Sequence, residues 1–116
     1  MKKILLINPP ISIYLNRTAF MPLPLLVLGT CLKKIQESGH DFSYEILDLD
    51  FMIKKDLLSD DLSFYENSIE IILEKKPDIL FFTVHGLNHI IVLKLSKTLK
   101  KLRPSSIIVV GELDRL

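Results

Sequence analysis

The chain has 116 residues, of which 48% are apolar and 25% charged, enough for one domain core and too apolar for a disordered chain. Its 15 Lys and Arg against 14 Asp and Glu leave a formal charge of +1, without the basic excess of a general nucleic-acid binder. The single cysteine, Cys31, excludes an internal disulfide and any all-cysteine metal cluster within the chain, and points to the cytoplasm.

The first apolar run, Lys3–Ile7, is continuous rather than alternating, which predicts a strand covered on both faces of a parallel sheet. With Met1 and Lys2 ahead of it, the run has the look of a signal peptide. It stops at Asn8-Pro9-Pro10 without a small-residue cleavage site. The irregular stretch from Asn8 to Met21 follows directly, and long loops are more often functional than idle. The longest apolar stretch, Met21 to Leu32, is broken by Pro22 and Pro24 and is too short to cross a bilayer, so a soluble protein without a membrane role is expected.

Leu25, Leu28, Leu32 and Ile35 recur at helical spacing, with Gly39 as the stop. Cys31 lies inside this segment and is expected to be packed and inert. Tyr44–Leu49 mixes apolar and acidic residues as an edge strand does. Leu62, Tyr65, Ile69 and Ile72 predict a second helix, with Ser63 and Glu66 spaced as a capping box and Pro77 closing it. Ile79–Val84 is the third strand. Val92, Leu95, Leu99 and Leu102 give a third helix, with Asn88 as its cap and Pro104 as its stop. Lys94, Lys97, Lys100, Lys101 and Arg103 lie mostly off that stripe, near the end of the helix where cations offset its dipole. They lack the interleaved aromatic residues of a single-strand nucleic-acid binder. Ile107–Val110 is the fourth strand.

Alternating strands and helices predict right-handed crossovers and an α/β fold. The expectation is one domain spanning residues 1–116: a Rossmann-like, flavodoxin-like parallel sheet of strand order 2-1-3-4 with three crossover helices. Only six residues follow Val110, so the C-terminal part of such a fold is expected to be missing, with the last strand's edge and apolar side chains uncovered. Either the chain is a fragment or a partner covers that edge, and self-association through it is the corresponding expectation.

Open parallel sheets bind ligands beyond the carboxyl ends of their strands, where the strand order reverses. For order 2-1-3-4 that crevice lies between the first and third strands. Asn8, Pro9, Pro10, Thr83, Val84, His85, Gly86 and Gly111 are therefore the candidate ligand-binding residues, with Glu112 beside them. The prolines either line the crevice or simply give the strand a rigid exit. His85 could donate to a phosphate, meet a ligand side chain or ligate a metal, or it merely ends a strand. A His85/His89 metal pair would lack a carboxylate and is disfavoured by Gly86. Thr83, Gly86 and the free N–H groups of the following helix suit backbone and hydroxyl contacts. Asp48 and Asp50 either take a ribose hydroxyl or form a solvated strand end. No Gly-x-Gly-x-x-Gly follows the first strand, which argues against dinucleotide binding. Asn8 and His85 stand where a receiver-type signalling domain needs acidic residues.

Several segments in order carry a family resemblance: Lys3-Ile4-Leu5-Leu6-Ile7-Asn8-Pro9-Pro10, Pro22-Leu23-Pro24-Leu25-Leu26, Gly39-His40, Leu47-Asp48-Leu49-Asp50, Lys76-Pro77-Asp78-Ile79-Leu80, and Arg103-Pro104 before Ile107–Gly111. Together they resemble the cobalamin-binding domain that precedes the catalytic core of radical S-adenosylmethionine enzymes, over nearly the whole chain. The resemblance implies cobalamin, a cobalt-containing cofactor, as ligand and a radical S-adenosylmethionine catalytic domain as partner. It implies no catalytic residue in this chain. The chain departs from the family in having Glu112 where a second glycine usually follows the fourth strand, and it lacks the Asp-x-His-x-x-Gly signature of other cobalamin proteins. It also lacks the Cys-x-x-x-Cys-x-x-Cys motif, so no iron-sulfur cluster and no radical step belong to it. The alternative expectation is a truncated or degenerate domain that no longer binds cofactor and acts through protein contacts.

Overall fold

The computed structural model describes residues 2–10, 23–59, 61–84 and 88–111. Four parallel strands, β1 (Lys2–Asn8), β2 (Phe42–Asp48), β3 (Ile79–Thr83) and β4 (Ile107–Gly111), form one sheet in the order β2-β1-β3-β4. The predicted order holds. Register pairs Leu5 with Leu80 and Ile7 with Phe82, and Asn8 with Asp48 at the opposite flank of β1. Leu5, Leu6 and Ile7 are all buried, which is why β1 reads as an unbroken apolar run: successive side chains enter opposite faces, and both faces are covered.

The connections contain one helix more than the three expected. Helix α1 (Leu23–Glu37) joins β1 to β2, and α4 (His89–Leu102) joins β3 to β4. Between β2 and β3 the chain forms two helices, the short α2 (Leu49–Lys54) and α3 (Ser63–Glu74). Asp48 creates α2: its carboxylate accepts the Phe51 N–H at 3.0 Å and turns an apolar run that leaves β2 into a helix.

The main core lies on one face of the sheet, where Leu5, Ile7, Leu80 and Phe82 meet Leu49 and Ile53 of α2, Phe64 and Ile72 of α3, and Leu95 and Leu99 of α4. Each of the fully buried Leu, Ile and Phe side chains stabilises the fold by about 1.5–3 kcal/mol relative to exposure. On α3 the buried stripe is Phe64, Ser68, Ile69 and Ile72, while Leu62 is 72% exposed. On α4 it is Ile91, Val92, Leu95 and Leu99, and Leu102 is exposed.

Helix α1 covers the opposite face over β1 and β2. It touches the sheet through Leu25, which is buried, and lies beside Ile46 and Tyr44 of β2 at Gly29, where a Cβ would make ordinary contact at 3.6 and 3.7 Å. So narrow a contact leaves Ile35 exposed, and Cys31 with it. The expectation that Cys31 is packed is therefore corrected: the sheet-facing side of α1 runs through Leu25, Leu28 and Leu32, and Cys31 lies off it. The helix ends at Gly39, whose φ of +108° suits a residue without Cβ.

The N-cap of α3 differs from expectation. Leu62 occupies the N-cap position of α3, with no side-chain bond, and Asp61 accepts the Ser63 N–H at 2.9 Å and the Ser63 hydroxyl. These hydrogen bonds hold the Asp61 carboxyl below its ordinary range. The Ser63/Glu66 capping box gives way because Asp61 already satisfies the first N–H of the helix. At the other end, Lys76 adopts φ +48° before the buried Pro77.

The amino edge of the sheet is fastened by Asp78. Its carboxylate accepts the Lys3 N–H at 2.8 Å, its own N–H donates to the Lys3 carbonyl, and its carbonyl accepts from Ile107 N–H. Arg103 donates through Nε to the Pro77 carbonyl at 2.8 Å and places Nη2 3.8 Å from Asp78. Residues from β1, the start of β3 and the end of α4 are thus tied at one point.

Candidate functional site

At the carboxyl edge, β1 and β3 run side by side with α1 on one face and α3 and α4 on the other, so the strand order reverses between them. Asn8 and Thr83 end these two strands. Of the eight predicted site residues, Asn8, Pro9, Pro10, Thr83, Val84 and Gly111 fall on this edge of the sheet. His85 and Gly86 lie outside the described residues, as do Glu112 and most of the loop that begins at Asn8. Of the disfavoured His85/His89 pair, His85 is therefore not described, and His89 is the exposed first residue of α4.

Asn8 does not stand free. Its Nδ2 donates to Asp48 Oδ1 at 2.9 Å, and the same oxygen accepts the Phe51 N–H. Asp48 is thus a structural hub, replacing the expectation of a solvated strand end. Asp50 differs from that expectation too, being 5% exposed in the first turn of α2. Pro9 and Pro10 are buried.

Thr83 is 9% exposed and pairs in register with Gly111. Val84 N–H donates to the Gly111 carbonyl at 2.9 Å, extending the ladder one residue past β3. Asn88 is fully buried, and its Nδ2 donates to the Thr83 carbonyl at 3.1 Å. It holds the N-cap position of α4 without a side-chain cap bond, its amide being turned back to β3 instead. Sequence reasoning named Asn88 only as a cap. Its role in fixing the strand-to-helix turn was hidden, because capping and back-bonding draw on the same residue types.

Gly111 has a local reason to be glycine: a Cβ built there would lie 2.7 Å from Phe81 Cζ. Phe81, two residues before Thr83 and so on the same sheet face, leans over it.

None of the eight predicted positions is Lys or Arg, and Asp48 adds a carboxylate beside Asn8. Among the described residues, no group of three or more His, Cys, Asp and Glu side chains is placed to hold a metal ion, and no helix is long and apolar enough to cross a membrane.

Away from this edge, the helical layer carries grooves that sequence reasoning did not single out. One, of about 740 Å³, lies between the end of α2 and α3 and is lined by Asp56, Asp61, Glu70 and Glu74 with Lys54, Leu57 and Ile71. On the other flank of α3, a groove of about 360 Å³ is lined by Tyr65 and Ile69 with Lys94, Lys97 and Lys101 of α4, and one of about 520 Å³ on α4 itself by Lys97, Lys100 and Lys101.

Fold and strand order define the class of protein: a parallel α/β domain of Rossmann-like, flavodoxin-like topology, with its switch point between β1 and β3. Comparison with protein-family models, with curated proteins and with solved structures finds no match.

Proposed function

We infer that the chain is a cobalamin-binding-type module, the N-terminal part of a cytoplasmic radical S-adenosylmethionine enzyme, and that it performs no catalysis by itself. The observation that carries this reading is the order β2-β1-β3-β4, which gives the sheet a switch point at the ends of β1 and β3, the position at which open parallel sheets take ligands. The absence of Lys, Arg, Asp and Glu from the eight candidate positions agrees with a large, weakly charged ring. Asn8, Pro9, Pro10, Thr83, Val84, His85, Gly86 and Gly111 would hold the corrin, mostly by backbone and apolar contact. Asn88 would keep the β3–α4 turn in place beneath it. When bound, cobalamin would supply methyl-transfer or radical chemistry to a catalytic domain beyond these residues. The motifs that carry the family resemblance divide by role: Lys76-Pro77-Asp78 and Arg103 fasten the amino edge, and Asp48 shapes the β2–α2 turn, so these support the fold that the ligand requires.

A second reading, a degenerate domain working through protein contacts, is favoured by β4. This edge strand exposes Ile107, Val109 and Val110 at 57, 40 and 52%. Apolar edge strands of this kind invite pairing or a covering partner. Retention of hydroxocobalamin by the purified chain separates the two readings.

A further inference from the structure

The formal charge of +1 conceals a division of charge across the helical layer. Helix α4 contains four lysines and no acidic residue. Lys94, Lys97 and Lys101 flank the groove between α4 and α3, whose apolar floor includes Ile69 and Leu95. Lys94 sits over the Tyr65 ring at 5.0 Å, and Lys100 is turned to the Ser106 carbonyl. Lys97 and Lys101 are exposed and line both lysine-lined grooves. The opposite flank of α3 presents Glu70 and Glu74, facing Asp56 and Asp61 across the larger groove, where Leu57 is 67% exposed. The α2–α3 flank is therefore predominantly acidic, with four carboxylates to the one lysine Lys54, and the α4 flank basic, each with apolar surface.

We propose that the lysine face of α4 docks a second copy of this chain, through that copy's α2–α3 flank. Charge complementarity selects this occupant: the acidic groove is carried by every copy at the same concentration as the lysine face, and the near-zero net charge adds little long-range repulsion between copies. Paired across such a contact, Lys97 and Lys101 meet Glu70 and Glu74. This contact differs from pairing at β4, because it is electrostatic, lies on the helical layer and leaves the carboxyl edge open.

The test is sedimentation velocity on the full chain over a range of concentrations, at low and at high salt. Two charge-reversed variants accompany it, Lys97→Glu/Lys101→Glu and Glu70→Lys/Glu74→Lys, each checked for fold by circular dichroism. The expected result is self-association that weakens about tenfold or more on adding salt, as exposed charges are screened. Each variant alone loses it by a similar factor, and an equimolar mixture of the two regains it, because reversed and native charges again meet their opposites. A monomer at every concentration in low salt overturns the proposal. So does association indifferent to salt and to both reversals, which would belong to the β4 edge. Loss in both variants without recovery in the mixture overturns it as well, since the two flanks would then not be partners.

Discussion

Asn8 Nδ2 lies 2.9 Å from Asp48 Oδ1, so the carboxyl ends of β1 and β2 are joined by one side-chain hydrogen bond whose acceptor also starts α2. A single carboxylate thereby sets the last residue of the strand that borders the switch point and the first turn of the helix beside it. Asp48→Ala should destabilise the chain by about 1–2 kcal/mol, through the lost cap and the lost partner of Asn8. Asn8→Ala should cost less. Urea denaturation of both single variants and the double variant should show a coupling of about 0.5–1 kcal/mol; strictly additive effects would mean that the pair contributes nothing jointly.

Lys76 holds φ +48° at the end of α3, a conformation that costs an L-residue about 1 kcal/mol and glycine almost nothing. Lys76→Gly should therefore raise stability by about 0.5–1 kcal/mol, read as a higher urea midpoint at unchanged slope. A lower midpoint would show that the Lys76 side chain contributes more than its backbone costs.

Gly111 stands at the predicted ligand edge, yet the neighbour that requires it to be small is Phe81. Gly111→Ala should destabilise the chain by about 1 kcal/mol, as the Phe81 ring is displaced. Phe81→Leu should relieve the conflict, making the double variant more stable than the sum of the single effects. If stability is recovered in the double variant but corrin retention is not, Gly111 also meets the ligand.

Cys31 is exposed on α1. A thiol reagent should label it in the folded chain at a rate close to that in denaturant, whereas a packed thiol would wait for unfolding.

The sheet was legible in the sequence because β1, β3 and β4 are short continuous apolar runs bounded by prolines, glycine or polar residues. Their alternation with helical stripes leaves few topologies. Helix α2 was not legible: Ile46 to Ile53 is nearly one apolar run, and periodicity cannot divide it between a strand end and a six-residue helix. The division lies in Asp48, whose spacing to Phe51 is a capping signal that the strand pattern masked. Cys31 was misjudged because the apolar composition around it was read as packing, although it lies off the Leu25, Leu28, Leu32 stripe and the face is set by where α1 meets the sheet. The carboxyl edge that carries the candidate residues was legible as a position, since strand order alone places the ends of β1 and β3 side by side. Its internal wiring was not, because the Asn8–Asp48 bond depends on register between strands 40 residues apart.

The most direct test of the central claim is to mix the purified chain with hydroxocobalamin, desalt it and record the visible spectrum. The account predicts retained corrin absorbance, weakened about tenfold or more in affinity by Gly86→Val and reduced by His85→Ala, with the fold intact in both. A folded chain that retains no corrin would contradict it and leave protein contact as the function of the domain.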